Sequence, residues 1–200
     1  MLATLVLITL GGCVLTATPA VAAPRVAPDK VAHISANSDA DLAAAWWRWA
    51  AAFETPVNPV LDATGEDCMR GQSGDVWFLA GSVGETLTRT CSVPGGQSLF
   101  FPVLNCAGGE ECRQQLGKAV GRAELDGARL RAVALPSTAF NLTGVAGNPF
   151  TGTAETVRLV TEGDWLHLPP LPAGRHTLRI VARSSAFLID VTYVLNVAPG

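Results

Sequence analysis

The chain has 200 residues, of which 16% are charged, with 14 Lys and Arg against 17 Asp and Glu and a formal net charge of −3. A mildly acidic balance with no run of basic residues argues against a nucleic-acid partner. With 20 Gly, 13 Pro and a single Tyr, the composition is that of a compact, turn-rich β protein rather than a disordered one.

The first element is a leader. Leu2 to Leu10 (LATLVLITL) is a short apolar run, followed by small residues and by Ala20-Val21-Ala22, and every charged residue lies beyond Pro24. This pattern predicts a signal peptide over 1–22, cleaved before Ala23, and the run is too short to span a bilayer. No transmembrane segment is expected after cleavage. A second reading takes Leu10-Gly11-Gly12-Cys13 as a lipobox, with a lipid anchor on Cys13; the apolar stretch that continues past Cys13 favours the unanchored product. Residues 23–37 read as an extended arm, and 38–200 as a single disulfide-containing domain.

DLAAAWWRWAAAF predicts the one N-terminal helix, capped by Ser38 or Asp39 and stopped by Pro56 and Pro59. Leu42, Trp46, Trp49 and Phe53 recur on one stripe, which should be buried. Trp47 points about a quarter-turn away. It is either an exposed platform for a sugar ring or a partner, or part of a wider buried face.

The four remaining cysteines, Cys68, Cys91, Cys106 and Cys112, fall in one central block. An even count behind an export signal reads as disulfides rather than a metal site: there is no C-x-x-C pair, and His33, His167 and His176 are scattered. Four cysteines allow three pairings; Cys68–Cys91 with Cys106–Cys112 is the expected set. Asp75 to Ala80 and Ser98 to Leu104 are apolar runs that predict strands covered on both faces. Between them Thr86 to Val93 alternates, which puts Arg89 on the apolar row with Leu87, Cys91 and Val93. A buried guanidinium needs a carboxylate or several carbonyls. It therefore either clamps the acidic loop 58–75 internally or offers a bidentate fork to an acidic ligand.

Beyond Glu111 the sequence predicts one short central helix and then a series of strands. Asp126-Gly127 between apolar residues is a hairpin signal. Pro169 to Gly174 is a turn, and His176, Leu178, Ile180 and Ala182 form the inward row of a strand paired antiparallel with Phe187 to Val197. His176 should bond the turn before it, and His167 shares a row with Trp165. The fold expected is mainly β: an antiparallel β-sandwich with an N-terminal Trp-rich helix and one short central helix.

Trp46-Trp47-x-Trp49, Gly71-Gln72-x-Gly74-x-Val76-Trp77-Phe78-Leu79-Ala80-Gly81, Leu99-Phe100-Phe101-Pro102-Val103-Leu104-Asn105 and Gly174-x-His176-Thr177-Leu178 resemble a family of exported bacterial proteins. The resemblance covers most of the chain past the leader. It implies a secreted or periplasmic bacterial protein and brings no activity or catalytic residue with it.

The chain lacks a G-x-S-x-G elbow, H-E-x-x-H, a P-loop and a dinucleotide-binding glycine pattern. No catalytic residue, metal or cofactor is expected, and the leading function is a non-enzymatic binding or envelope-associated domain for a glycan or an envelope protein. Trp47, Gln72, Arg89 and Asn105 are the candidate ligand residues. Two alternatives remain: a polysaccharide hydrolase using carboxylates of the 54–75 region, such as Asp62 and Asp75, and a purely structural exported domain.

Overall fold

The computed structural model describes residues 36–185 and 187–200, with side chains from Asp39 onward. The signal peptide, the lipid alternative at Cys13 and the expected arm up to residue 35 lie outside the described residues; residues 36–37, expected in the arm, are helical.

Helix α1 (Ala36–Ala50) leads into a short 3-10 turn at Thr55–Val57. Nine strands follow: β1 (Val76–Phe78), β2 (Thr86–Val93), β3 (Ser98–Gly108), β4 (Val120–Leu125), β5 (Ala128–Leu130), β6 (Val133–Thr143), β7 (Thr156–Leu168), β8 (Gly174–Arg183) and β9 (Leu188–Val197). Helix α2 (Glu110–Leu116) connects β3 to β4. The strands form a four-stranded sheet in the order β1-β3-β7-β6 and a five-stranded sheet in the order β2-β9-β8-β4-β5.

The mainly β sandwich with two helices is as the sequence predicts, but its connections are less local than the turn signals suggested. Only three of the eight consecutive strand pairs, β4-β5, β6-β7 and β8-β9, are hydrogen-bonded hairpins. The other connections carry the chain between sheets. Two pairings are consequently parallel, β1 with β3 and β2 with β9, because β2 crosses to the opposite sheet before β3 returns beside β1.

Two cores result, one on each face of the four-stranded sheet. Between the sheets lie Leu99, Phe101 and Val103 of β3, Leu166 and Leu168 of β7, and Leu178, Ile180, Val191, Tyr193 and Leu195 from the opposite sheet. On the other face Phe100 and Trp165 meet Trp46, Trp47 and Trp49 of α1. Strand alternation sends neighbouring residues of β3 into different cores, which is why its sequence is apolar throughout. Each large side chain so buried contributes roughly 1.5–3 kcal/mol.

Local chemistry fixes the ends of these elements. Asn58, fully buried, donates to the carbonyls of Ala50 (2.8 Å) and Phe53 (3.0 Å) and accepts from the Val60 N–H, closing the C-terminus of α1. Asp126 (φ 50°) and Gly127 (φ 79°) both take left-handed backbone in the two-residue turn between β4 and β5. At Gly65 (φ 96°) a Cβ would run into the Thr90 backbone, and the Thr90 N–H donates to the Thr64 carbonyl (2.8 Å). The 58–75 loop therefore lies directly on β2, the edge strand, and takes up its Thr90 N–H.

Cys68–Cys91 and Cys106–Cys112 are the two disulfides, the expected pairing. The first fastens that loop to β2; the second fastens the start of α2 to the end of β3. Such bonds persist in an oxidising compartment. Among the described residues no helix is long and apolar enough to cross a membrane.

Candidate functional site

The four residues singled out as ligand candidates occupy different environments and share no hydrogen-bond partner. Trp47 is 8% exposed; its Nε1 donates to Thr161 Oγ1 (3.0 Å) and its ring packs edge-on against Trp46 and Phe150. The buried face of α1 is wider than the single stripe, so Trp47 is core and not a sugar platform. Gln72 is spent on the backbone: its amide donates to the Cys68 and Phe78 carbonyls, and its carbonyl accepts from the Phe78 N–H. Asn105 sits opposite Gly163 in the β3-β7 ladder, its Nδ2 enclosed without a hydrogen-bond partner.

Arg89 is 1% exposed and bonds four carbonyls: Asp62 (2.6 Å), Val60 (2.8 Å), Gly81 (2.8 Å) and Ala80 (3.2 Å). Its Nη1 also donates to the Tyr193 hydroxyl (2.9 Å). A sealed guanidinium with these partners is an internal clamp rather than a fork for a ligand, and it uses carbonyls where a carboxylate was the other option. It joins the acidic loop, the segment after β1 and β9 in one network.

The carboxylates of the 54–75 region do not converge. Asp62 accepts from the backbone N–H groups of Thr64 (2.8 Å) and Asp67 (2.9 Å) and from the Thr64 hydroxyl (3.0 Å). Partial burial acts to raise its pKa, but these hydrogen bonds to the charged form outweigh it and hold the carboxyl below its ordinary value. Asp67 pairs with Arg70 (2.6 Å), while Asp75 is exposed. Among the described residues no group of three His, Cys, Asp or Glu is placed to hold a metal ion.

Two histidines are built into polar chains. His176 puts Nε2 2.9 Å from the Pro172 carbonyl, in the turn before its strand, and Nδ1 2.7 Å from Asp126 Oδ2. A carbonyl only accepts, so Nε2 carries a hydrogen. Asp126 Oδ1 also accepts from the Thr177 N–H (2.8 Å), so the β4-β5 turn is tied to the start of β8. His167 puts Nδ1 2.8 Å from Asp39 Oδ1 and Nε2 3.2 Å from Ser98 Oγ. Asp39 is therefore a first-turn residue of α1 whose carboxylate reaches the sheet. The register explains the rest: Phe100 pairs with His167, and Ser98, two residues before Phe100, lies on the same face.

The open feature of the molecule is an arginine-lined groove at the β4-β5 side of the five-stranded sheet. One cleft of about 320 Å³ is lined by Arg122, Arg129, Arg179, Arg183 and Asp190. It shares Gly121, Arg122 and Arg129 with a second, of about 500 Å³, that adds Arg131 and Asp164. That one shares Ala134 and Asp164 with a third, of about 310 Å³, reaching Arg113 and Glu162 beside α2. The three clefts are thus neighbours along one side of the molecule, each sharing lining residues with the next.

Sheet register assembles the groove. Val120 pairs with Arg183, Arg122 with Val181, Glu124 with Arg179 on one side and Arg129 on the other. Alternation then turns all of these side chains away from the core. Arg179 forms a two-pronged pair with Asp190 (2.9 and 2.7 Å). The Arg179 hydrogen bond is the main reason the Asp190 carboxyl is held below its ordinary value, against a smaller effect of burial; the charges of Arg179 and Arg122 act in the same sense. Arg113 bonds Glu162 (3.1 Å). Arg122 has Glu124 only at 3.7 Å, and among the described residues Arg129, Arg131 and Arg183 are in no ion pair. The sequence hid this grouping because its members come from four different segments. Alternating charge on adjacent strands was the only available signal.

No family model, no curated protein and no solved structure matches the chain.

Proposed function

We propose that the chain is an exported, secreted or periplasmic binding domain whose arginine-lined groove takes an extended acidic glycan. The observation that carries the reading is the row of clefts itself: three that share lining residues, with Arg129, Arg131 and Arg183 exposed along them in no ion pair and Arg122 exposed with only Glu124 at 3.7 Å. Guanidinium groups match carboxylate and sulfate oxygens in a planar, two-pronged way. A long shallow groove suits a polymer better than a small enclosed molecule. The net charge of −3 argues against non-specific attraction to any polyanion, since the positive field is local to the groove. Export and a signal peptide rest on the leader and on the disulfides, and bacterial origin on the resemblance to exported bacterial proteins.

Titration with polygalacturonate, with uncharged dextran as control and duplex DNA as competitor, tests this. Binding to the uronate polymer alone, lost in Arg122→Gln/Arg129→Gln/Arg183→Gln, is the expected outcome. No uronate binding by a folded protein, or tighter binding to DNA, contradicts it.

A further inference from the structure

From the chain Asp39, His167 and Ser98 we infer a second, chemical site: a serine nucleophile that hydrolyses small carboxylic esters, on the face of the four-stranded sheet covered by α1. The distances are 2.8 Å from Asp39 Oδ1 to His167 Nδ1 and 3.2 Å from His167 Nε2 to Ser98 Oγ.

Hydrogen-bond direction follows from what each atom can do. The Asp39 carboxylate only accepts, so Nδ1 carries the hydrogen of the neutral ring, and Nε2 is then a bare lone pair. The atom in reach to donate to it is the Ser98 hydroxyl. Ser98 Oγ also donates to the Asp75 carbonyl at 3.1 Å, an oxygen that accepts the Ser98 N–H (3.0 Å) on its other lone pair; with His167 Nε2 at 3.2 Å the hydroxyl has two acceptors in reach, and rotation about Cβ–Oγ turns its hydrogen from Asp75 to His167. The imidazole is fixed in place by its surroundings. Asp39 and His167 are both buried, and Phe100 stands edge-on to the imidazole, 5.6 Å between centroids. Ser98, by contrast, is only half-buried. An orienting acid, a fixed base and a reachable hydroxyl are the three parts of an activated serine.

In the reaction the Ser98 Oγ forms a bond to the ester carbonyl carbon while its proton passes to His167 Nε2. The carbon–oxygen bond to the alcohol breaks, the alcohol leaves with that proton, and Ser98 carries the acyl group. Water then attacks the acyl carbon while His167 Nε2 takes one of its protons; the bond from the acyl carbon to Ser98 Oγ breaks, His167 passes that proton to Oγ, and the acid departs. Ester and water become acid and alcohol, with no other reactant. The partial exposure of Ser98 is why the substrate inferred is a small acyl group, such as acetyl, projecting from a larger molecule. This site is separate from the arginine groove, whose lining includes none of Asp39, Ser98 and His167.

Labelling of the disulfide-intact protein with a fluorophosphonate probe, followed by peptide mapping, tests the site directly, with p-nitrophenyl acetate turnover in parallel. The expected result is a single adduct on Ser98 and turnover that falls roughly 10³-fold in Ser98→Ala. Asp39→Asn keeps the shape but not the charge; it lowers kcat with little change in KM, which a role confined to anchoring α1 does not predict. Absence of a Ser98 adduct in folded wild type, or equal turnover by Ser98→Ala, overturns the inference. Should a variant not fold, the wild-type adduct decides alone.

Discussion

The Tyr193 hydroxyl accepts from Arg89 Nη1 at 2.9 Å and also bridges the backbone of Ala80, accepting from its N–H (3.1 Å) and donating to its carbonyl (2.9 Å). One buried phenol thus joins β9 to the segment after β1, and the guanidinium beside it carries the link on to the 58–75 loop. Arg89→Leu removes the partner of four carbonyls at once. The loss expected is about 3–5 kcal/mol in denaturant unfolding; Tyr193→Phe should cost about 1–3 kcal/mol. A stability change under about 1 kcal/mol in Arg89→Leu would mean that the loop stays in place without its clamp.

The Cys68–Cys91 bond spans 23 residues and Cys106–Cys112 spans 6. In the chain-entropy view the first is worth on the order of 3 kcal/mol and the second less. Replacing each pair by Ala and comparing unfolding midpoints should rank them in that order. Equal losses would show that native contacts, not loop closure, set their value.

Asp62 supplies a pH dependence whose sign is fixed. Its folded pKa lies below the ordinary 3.8, so its stabilising effect is fully present above that value and disappears as pH falls through the lower folded one. Asp62→Ala should cost about 1 kcal/mol at neutral pH and converge with wild type in strong acid. Asp190, also lowered, acts in the same direction. Melting curves of Asp62→Ala and wild type across the acid range check this; a gap that widens on acidification contradicts it.

His176 is closed in by Asp126 and Pro172 on either side of the ring. His176→Ala should open a cavity and strand both partners, at about 2–4 kcal/mol. His176→Gln keeps one bond and should lose less. Thermal unfolding of the two variants separates packing from hydrogen bonding.

Much of the fold was legible because local signals agree with it. The Asp126-Gly127 turn, the alternation from Val191 to Val197 and the helix around Trp46 each follow from short-range patterning, and Arg89 falls on the buried row as its position in Thr86–Val93 required. Which strands meet was not legible. The parallel pairing of Thr86–Val93 with Asp190–Val197 joins segments about half the chain apart, and no turn announces it. The same distance hides the functional chemistry: Asp39 and His167 are 128 positions apart, and Ser98 and His167 are 69. Asp39 reads locally as a helix cap, and the groove arginines read as isolated surface charges until register aligns them.

The groove reading is tested most directly by the salt dependence of uronate-polymer binding. For wild type, log affinity should fall linearly with log salt, as contacts between arginine and anion release counterions. Removing Arg122, Arg129 and Arg183 should weaken binding and flatten that slope by roughly two to three, with the melting temperature retained. An unchanged slope in the folded triple variant, or wild-type affinity indifferent to salt, would place the ligand elsewhere than the arginine groove.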